Sequence, residues 1–255
     1  MKDTFERVEK KYLLDARQYE GLLRSLEGRL RPDAYSHGTV LSLYLDTDDN
    51  LLIRRSLQKP AYKEKVRLRS YGVPGSGDTV YLELKKKCRG VVYKRRVALS
   101  AQEAMDYLCR GKTPGAGGQI FSEVDYAVRR YGLRPALVLC YDRAAYAEAA
   151  PTPDALRLTL DAGIRSRRNG LDLRLGDEGE ALLPPGMRLM EIKTARAVPL
   201  WLCHALSRYE IRPVSFSKYG QVYARELSQA APSRILRPER SPMVCSQPCL
   251  IFPGS

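Results

Sequence analysis

The sequence predicts an α+β fold: a mainly antiparallel β-sheet with helices around it, whose polar strand faces would line a tunnel if the sheet curls into a barrel. Three observations predict it. Segments with the two-residue alternation of strands dominate, and they are joined mostly by turns or short helices. At least six of them set an apolar face against a face rich in Arg and Lys. The formal net charge is +14, from 43 Lys+Arg against 29 Asp+Glu in 255 residues, an excess that favours an anionic partner.

The elements follow in order. Thr4–Leu14 alternates and reads as a strand; Asp15 then caps a helix to about Arg29, with Tyr19, Leu22, Leu23 and Leu26 near helical spacing. Thr39–Asp46 is a strand, Asp48–Leu57 a short helix, Tyr62–Tyr71 a strand, and Gly72–Asp78 a turn. Val80–Lys87 and Val91–Leu99 form a hairpin around Arg89-Gly90. Ser100 with Glu103 is a capping box that opens a helix to about Arg110. A Gly-rich linker, Gly111–Gly118, leads to a helix over Gln119–Tyr131 that Gly132 ends. Pro135–Ala147 and Leu156–Ile164 are strands, Arg167–Ala181 is a polar hairpin or loop, and Pro184-Pro185-Gly186 turns into the strand Met187–Thr194. Helices at about Pro199–Tyr209 and Ser217–Gln229 close one domain, residues 1–229. Residues 230–255 are rich in Pro, Ser and Arg, lack periodicity, and read as a disordered tail.

The strand faces carry the chemistry. Lys63, Lys65, Arg67 and Arg69 share one face, as do Tyr81, Glu83, Lys85 and Lys87, and then Lys94 and Arg96. Arg7, Glu9 and Lys11 share a face near the N-terminus. Later come Tyr141 with Arg143, Arg157 with Thr159 and Asp161, and Glu191 with Lys193. Any one such face could simply meet water. Solvated faces, however, mix Glu, Lys, Thr and Ser, whereas these are mainly cationic. Curled into a barrel, they converge on one lumen. A lumen of Arg and Lys calls for a polyanion, since Arg supplies a planar fork for phosphate oxygens and Lys a point charge. A few carboxylates among them suit a divalent cation that bridges phosphates.

The motifs also have a familiar order. Arg7-Val-Glu-Lys-Lys-Tyr12 resembles the R-x-E-x-K-Y opening strand of the VTC domain, the polyphosphate polymerase module of the CYTH-like triphosphate tunnel metalloenzyme superfamily. Tyr44-Leu-Asp46, Lys65–Gly72, Leu82-Glu-Leu-Lys85, Lys94-Arg-Arg96, Tyr141-Asp-Arg143, Leu156–Asp161, Glu191-Ile-Lys193 and Phe216-Ser-Lys-Tyr219 follow in similar order, from Phe5 to about Ala224. Each is weak alone; the ordered set is specific. The resemblance implies that Lys11, Arg67, Arg69, Lys85, Lys94, Arg143, Arg157 and Lys218 contact the reacting phosphates. It implies that Tyr141, Ser217, Lys193 and Arg7 help bind substrate, and that Glu191, with Glu9 and Glu83 as weaker candidates, binds Mn²⁺ or Mg²⁺. Ser215 departs from the pattern, because fungal members carry a further basic residue there. The chain lacks the SPX domain and membrane helices of the fungal assemblies and is similar to the stand-alone bacterial form.

The implied activity is transfer of the γ-phosphoryl group of ATP to a growing polyphosphate chain, with ATP and polyphosphate as partners. A triphosphatase of the same fold is one alternative; it must orient and deprotonate water, and so calls for more inward carboxylates. A non-catalytic module binding polyphosphate or RNA is another, and RNA would need exposed stacking surfaces. Nucleic acid is therefore not the expected partner. The N-terminus reaches no apolar signal region, and no stretch approaches the roughly 20 apolar residues of a membrane helix. The expectation is a cytoplasmic protein without a transmembrane segment, association with a membrane partner being left open. Six cysteines without a CxxC pair and only two histidines argue against a zinc cluster. Gly111-Lys112-Thr113 imitates the end of a P-loop, but Asp106 stands where its upstream Gly belongs. His204 reads as a packed helix-face residue, and Cys245 and Cys249 as incidental tail residues.

Overall fold

Alternation builds the sheet. In the computed structural model, which describes residues 8–115, 117–148, 155–195 and 197–230, the strands are β1 (Val8–Leu14), β2 (Arg31–Asp46), β3 (Tyr62–Tyr71), β4 (Thr79–Cys88), β5 (Val91–Ser100), β6 (Arg134–Ala147), β7 (Arg157–Arg167), β8 (Glu180–Ala181) and β9 (Arg188–Thr194). The helices between them are α1 (Ala16–Leu26), α2 (Leu51–Leu57), α3 (Ala101–Arg110), α4 (Gln119–Tyr131), α5 (Leu200–Arg208) and α6 (Lys218–Ala230). One antiparallel sheet runs in the order β1-β9-β7-β6-β2-β3-β4-β5, with β8 added to β7. Expectations for Thr4–Arg7 and for the tail beyond Ala230 lie outside the described residues.

The two faces of the sheet do different work. Leu41, Leu43, Val66, Leu68, Leu82 and Leu84 point outward under α3 and α4. Tyr12, Leu14, Leu158, Leu160, Met190 and Ile192 point outward under α1 and α5. Each fully buried Leu contributes about 1.5–3 kcal/mol by leaving water, so these two layers fix the wall. On the concave face a third cluster joins Val40, Leu137, Leu139, Tyr141 and Leu189 to Phe216, Tyr219 and Val222. Helix α6 therefore packs inside the curl, and the remaining concave surface is left to the charged residues.

The sheet is strongly curled but not closed strand to strand. Laid flat, β1 and β4 would lie about 29 Å apart, at about 4.8 Å per strand. Instead Lys85 of β4 is within electrostatic reach of Glu9 and Lys11 on β1 and Lys193 on β9. Among the described residues no ladder joins β1 to β5. The free edge of β1 is already taken: Tyr12 bridges Pro213, and the Val214 amide donates to the Lys11 carbonyl at 2.7 Å. The expected barrel is thus a tunnel with an open seam, in which the segment that leads into α6 covers the edge of β1.

Several boundaries moved. Strand β2 starts at Arg31 rather than Thr39, because its first half pairs with the end of β6 (Arg31↔Ala147) ahead of an irregularity between Pro32 and His37. Pro32 and Gly38 hide that alternation. Strand β7 runs on to Arg167, past the left-handed Gly163 (φ 54°), where alternation breaks. Helix α2 starts at Leu51 rather than Asp48, since Asn50 is left-handed; the Asp46 carboxylate accepts from the Leu52 and Ile53 amides. Helix α1 stops at Leu26 because Gly28 turns the chain. The segment expected to be a hairpin or loop holds a short 3-10 turn, Leu173–Leu175, and β8. His204 is exposed rather than packed, and Cys140 is fully buried among apolar neighbours.

Candidate functional site

Strand register sets the concave surface row by row. Across β3, β4 and β5, Lys65 faces Lys85, which faces Lys94. In the next row Tyr44, Arg67, Glu83 and Arg96 stand opposite one another, followed by Ser42 and Arg69. On the other wall Lys11 faces Glu191, which faces Thr159; Glu9 faces Lys193, which faces Arg157; and Arg143 faces Asp161. Like charges directly opposite on adjacent strands repel, so the lysine row is held by the fold against its own electrostatics.

Carboxylates answer only some of the cations. Glu83, 1% exposed, accepts from Arg67 Nε at 2.8 Å and pairs with Lys94 at 2.6 Å. Asp161, fully buried, accepts from Arg143 Nε and Nη2 at 2.6 and 2.8 Å and from Lys218 Nζ at 2.5 Å. Glu191 lies between Lys193, Lys11 and Lys218 at 3.5, 3.6 and 3.9 Å, and Lys11 also reaches Glu9 at 3.4 Å. The ring of Tyr141 lies beside Lys218 Nζ, 4.3 Å from its centroid, and Arg143, 5.1 Å away, while its hydroxyl accepts from Arg69 at 3.2 Å.

Other cations form no ion pair with a carboxylate among the described residues. Arg69 is only 8% exposed, yet its partners are the hydroxyls of Ser42 and Tyr141. Lys65 reaches the Ser217 hydroxyl at 3.3 Å, Lys63 the Ser56 carbonyl, and Lys85 forms no ion pair with a described residue. Burying a charge without a counter-charge is costly. The electrostatics register it: burial and then Lys11, Lys63 and Lys85 depress Lys65 to about 8. Burial alone would raise the Tyr44 phenol, but Arg67, Lys65 and Arg69 pull it down to about 7. Burial also opposes charge on Glu191, but Lys218, Lys11 and Lys193 hold it well below the usual carboxylate range.

The structure brings together Lys11, Arg67, Arg69, Lys85, Lys94, Arg143 and Lys218, with Tyr141, Ser217 and Lys193 among them and Glu9, Glu83 and Glu191 between. Arg157 stands apart at the rim, half-exposed, with its guanidinium on Asp33 at 2.8 Å. Arg7 lies outside the described residues. The three metal candidates divide: Glu9 and Glu191 share Lys11, whereas Glu83 serves Arg67 and Lys94. Among the described residues no three His, Cys, Asp or Glu side chains form a metal cage. Glu191 faces Thr159, whose buried hydroxyl has no hydrogen-bond partner, and Glu9 shares Lys11 with Glu191; these are hard oxygen donors, bracketed by the ammonium groups of Lys11, Lys193 and Lys218. That set suits a hard divalent cation whose remaining ligands come from phosphates.

Four residues take roles that the sequence reading did not assign, although it put Lys65 and Asp161 on the polar strand faces and Tyr44 in a motif: Asp161 as the hub of Arg143 and Lys218, Tyr44 and Ser42 on the guanidinium groups, and Lys65 on Ser217. Their signal was parity. Lys65 shares a strand face with Arg67, and Tyr44 and Ser42 share the concave face of β2.

A family profile described as the VTC domain matches residues 6–226. Comparison with curated proteins returned no match. Among solved structures, a candidate adenylate cyclase from Bacillus halodurans is 16% identical, covering 83% of this chain and 95% of that one, with a TM-score of 0.48. HpAC1 of Hippeastrum, a candidate adenylyl cyclase with a dominant triphosphatase activity, is 15% identical, covering 86% and 96%, with a TM-score of 0.49. These likenesses are distant, and the weight rests on the family match.

Proposed function

The chain belongs to the VTC domain family, and from that premise we propose that it is a metal-dependent polyphosphate polymerase, moving the γ-phosphoryl group of ATP onto a growing polyphosphate chain. The observation that carries this reading is a concave face on which Arg69, Lys65 and Lys85 form no ion pair with a carboxylate among the described residues, only Glu83 and Glu9 acting on Arg69 and Lys85 from a distance. A triphosphate or polyphosphate supplies the missing charge along the whole row.

In this reading Arg67 and Arg69, two residues apart on β3, take successive phosphates through their forks, about 6–7 Å apart along the strand. Lys65, Lys85 and Lys94 neutralise the same chain as point charges. Lys11, Arg143 and Lys218 bracket Glu191 on the facing wall and hold the phosphates from that side. Asp161 and Glu83 keep these cations aimed before substrate arrives. Glu191 and Glu9 would hold Mn²⁺ or Mg²⁺, which would supply positive charge to offset that of the phosphates. Catalysis is then positioning and charge neutralisation, which phosphoryl transfer chiefly requires. The acceptor, a phosphate already anionic, needs no general base.

Incubation with ATP and Mn²⁺, with products resolved by gel and phosphate assay, tests the reading. Long polyphosphate with matching ADP is expected. Free phosphate alone would make the protein a triphosphatase, and no turnover with tight polyphosphate binding would make it a binding module.

A further inference from the structure

Beyond the site residues Lys85 and Lys94, the tip of the β4–β5 hairpin carries a surface that the phosphate site does not use. Residues 85–96 read Lys-Lys-Lys-Cys-Arg-Gly-Val-Val-Tyr-Lys-Arg-Arg, seven cations with no carboxylate. Arg89 and Gly90 both take positive φ, 46° and 92°, and turn the chain tightly. The two strands stay paired up to Cys88↔Val91, so they form a ribbon with that turn at its tip. Beside the turn Val91, Val92 and Tyr93 are 40%, 48% and 54% exposed. Tyr62, also exposed, stands next to them through its pairing with Cys88.

Apolar side chains exposed singly are ordinary, but a contiguous group rimmed by cations points to an interaction surface, and three occupants can be weighed. Pairing of β5 with the same strand of a second copy would set Lys94-Arg95-Arg96 against its own like, which repels. A nucleic acid would answer the cations but leave two valines without a stacking partner. Alternation sends Val91 and Tyr93 to one face and Val92 to the other, so a partner lying on one face would leave the other uncovered. A lipid interface surrounds a tip on all sides, and its anionic headgroups answer the cations.

We propose that the tip of the β4–β5 hairpin inserts into the interface of an anionic lipid bilayer. Val91, Val92 and Tyr93 enter the boundary between headgroups and acyl chains, the tyrosine keeping its hydroxyl in the wet layer. Lys86 and Arg89 reach the lipid phosphates with their stems along the apolar surface. Arg95 is left out of this contact because it pairs with Glu123 on α4 at 3.3 Å. No helix among the described residues is long and apolar enough to cross a membrane, and this attachment needs none. It does not depend on the phosphoryl-transfer reading.

Flotation of the full chain with vesicles tests it, with tripolyphosphate present to occupy the tunnel. Equimolar phosphatidylglycerol and phosphatidylcholine vesicles are expected to carry the protein up; pure phosphatidylcholine vesicles are not. Replacing Val91, Val92 and Tyr93 together by Thr, which keeps strand preference, is expected to cut partitioning at least tenfold, as is Lys86→Glu with Arg89→Glu. Tyr93→Trp gives a second readout in a chain with native side chains elsewhere: added tip fluorescence is expected to shift to the blue with anionic vesicles only. Equal flotation on neutral vesicles, no flotation on either, or undiminished flotation of the Thr variant would each overturn the proposal. Binding of single-stranded RNA in place of vesicles would assign the tip to nucleic acid instead.

Discussion

Asp161 is fully buried and is the counter-charge of both Arg143 and Lys218. Removing one member of a buried ion pair leaves the other charge unanswered, a loss of about 3–5 kcal/mol. Asp161→Asn is therefore expected to lower unfolding free energy by that order in a urea titration and to weaken tripolyphosphate binding as two cations lose their aim. An unfolding curve that overlays the parent would mean the pair is anchored elsewhere. Glu191 has a different task. Lysines on three elements hold it ionised despite burial, so it is a carboxylate at any working pH. Glu191→Gln keeps the shape and removes the charge a divalent cation needs. It is expected to fold, to bind tripolyphosphate in the absence of metal, and to lose most turnover; full turnover would remove Glu191 from the chemistry.

At the scale of the element, the row Lys65–Lys85–Lys94 sets binding against stability. Lys65→Met keeps length and relieves both repulsion and burial of charge. The ligand-free variant is expected to melt at a higher temperature than the parent. Its tripolyphosphate affinity should fall by about 1.5–3 kcal/mol, the range for hydrogen bonds to charged groups. A lower melting temperature, or unchanged calorimetric affinity, would contradict this account. The same strands show what was legible in the sequence. Parity alone placed Lys63, Lys65, Arg67 and Arg69 on one face of β3 and put Val66 and Leu68 in the core, because a half-buried strand writes its two faces into alternate residues. It failed where backbone exceptions interrupt the code, at Pro32 in β2 and Gly163 in β7. It also could not foresee which cations would share a carboxylate. Arg143 and Asp161 stand opposite each other in the β6–β7 register, but Lys218 reaches Asp161 only because α6 packs against the concave face.

For the whole molecule, the crowded cations predict opposite pH responses for folding and binding. Tyr44, ordinarily near 10.0, falls to about 7, and Lys65, ordinarily near 10.5, falls to about 8. Between pH 7 and 9 the unfolded chain therefore keeps protons that the folded chain has released at these two sites. Unfolding free energy rises with pH wherever the unfolded state binds more protons, so these sites stabilise the ligand-free fold progressively across that window. A bound triphosphate favours the protonated amine and the neutral phenol, and takes up protons. Its affinity is expected to fall from pH 7 to 9 while the ligand-free melting temperature rises. Calorimetry in buffers of differing ionisation enthalpy measures the uptake directly, and a pH-independent affinity would count against Lys65 and Tyr44 as neighbours of the ligand.

The wall of the tunnel is interrupted between β5 and the Pro213–Val214 segment on the edge of β1. A cylinder with a lengthwise slit resists widening far less than an unbroken ring, because its girth is not fixed by a continuous belt of backbone hydrogen bonds. Here Lys65 and Lys85 repel Lys11 across the bore, with Glu9 offsetting part of the repulsion, and among the described residues no ladder ties the margins of the slit strand to strand. A polyanion lying along the axis attracts every wall at once and serves as the missing tie. On the proposed reading the bore conforms to the chain it encloses, loosely when empty and tightly when threaded, and a polymer is gripped at any point along its length without a pocket shaped for its end.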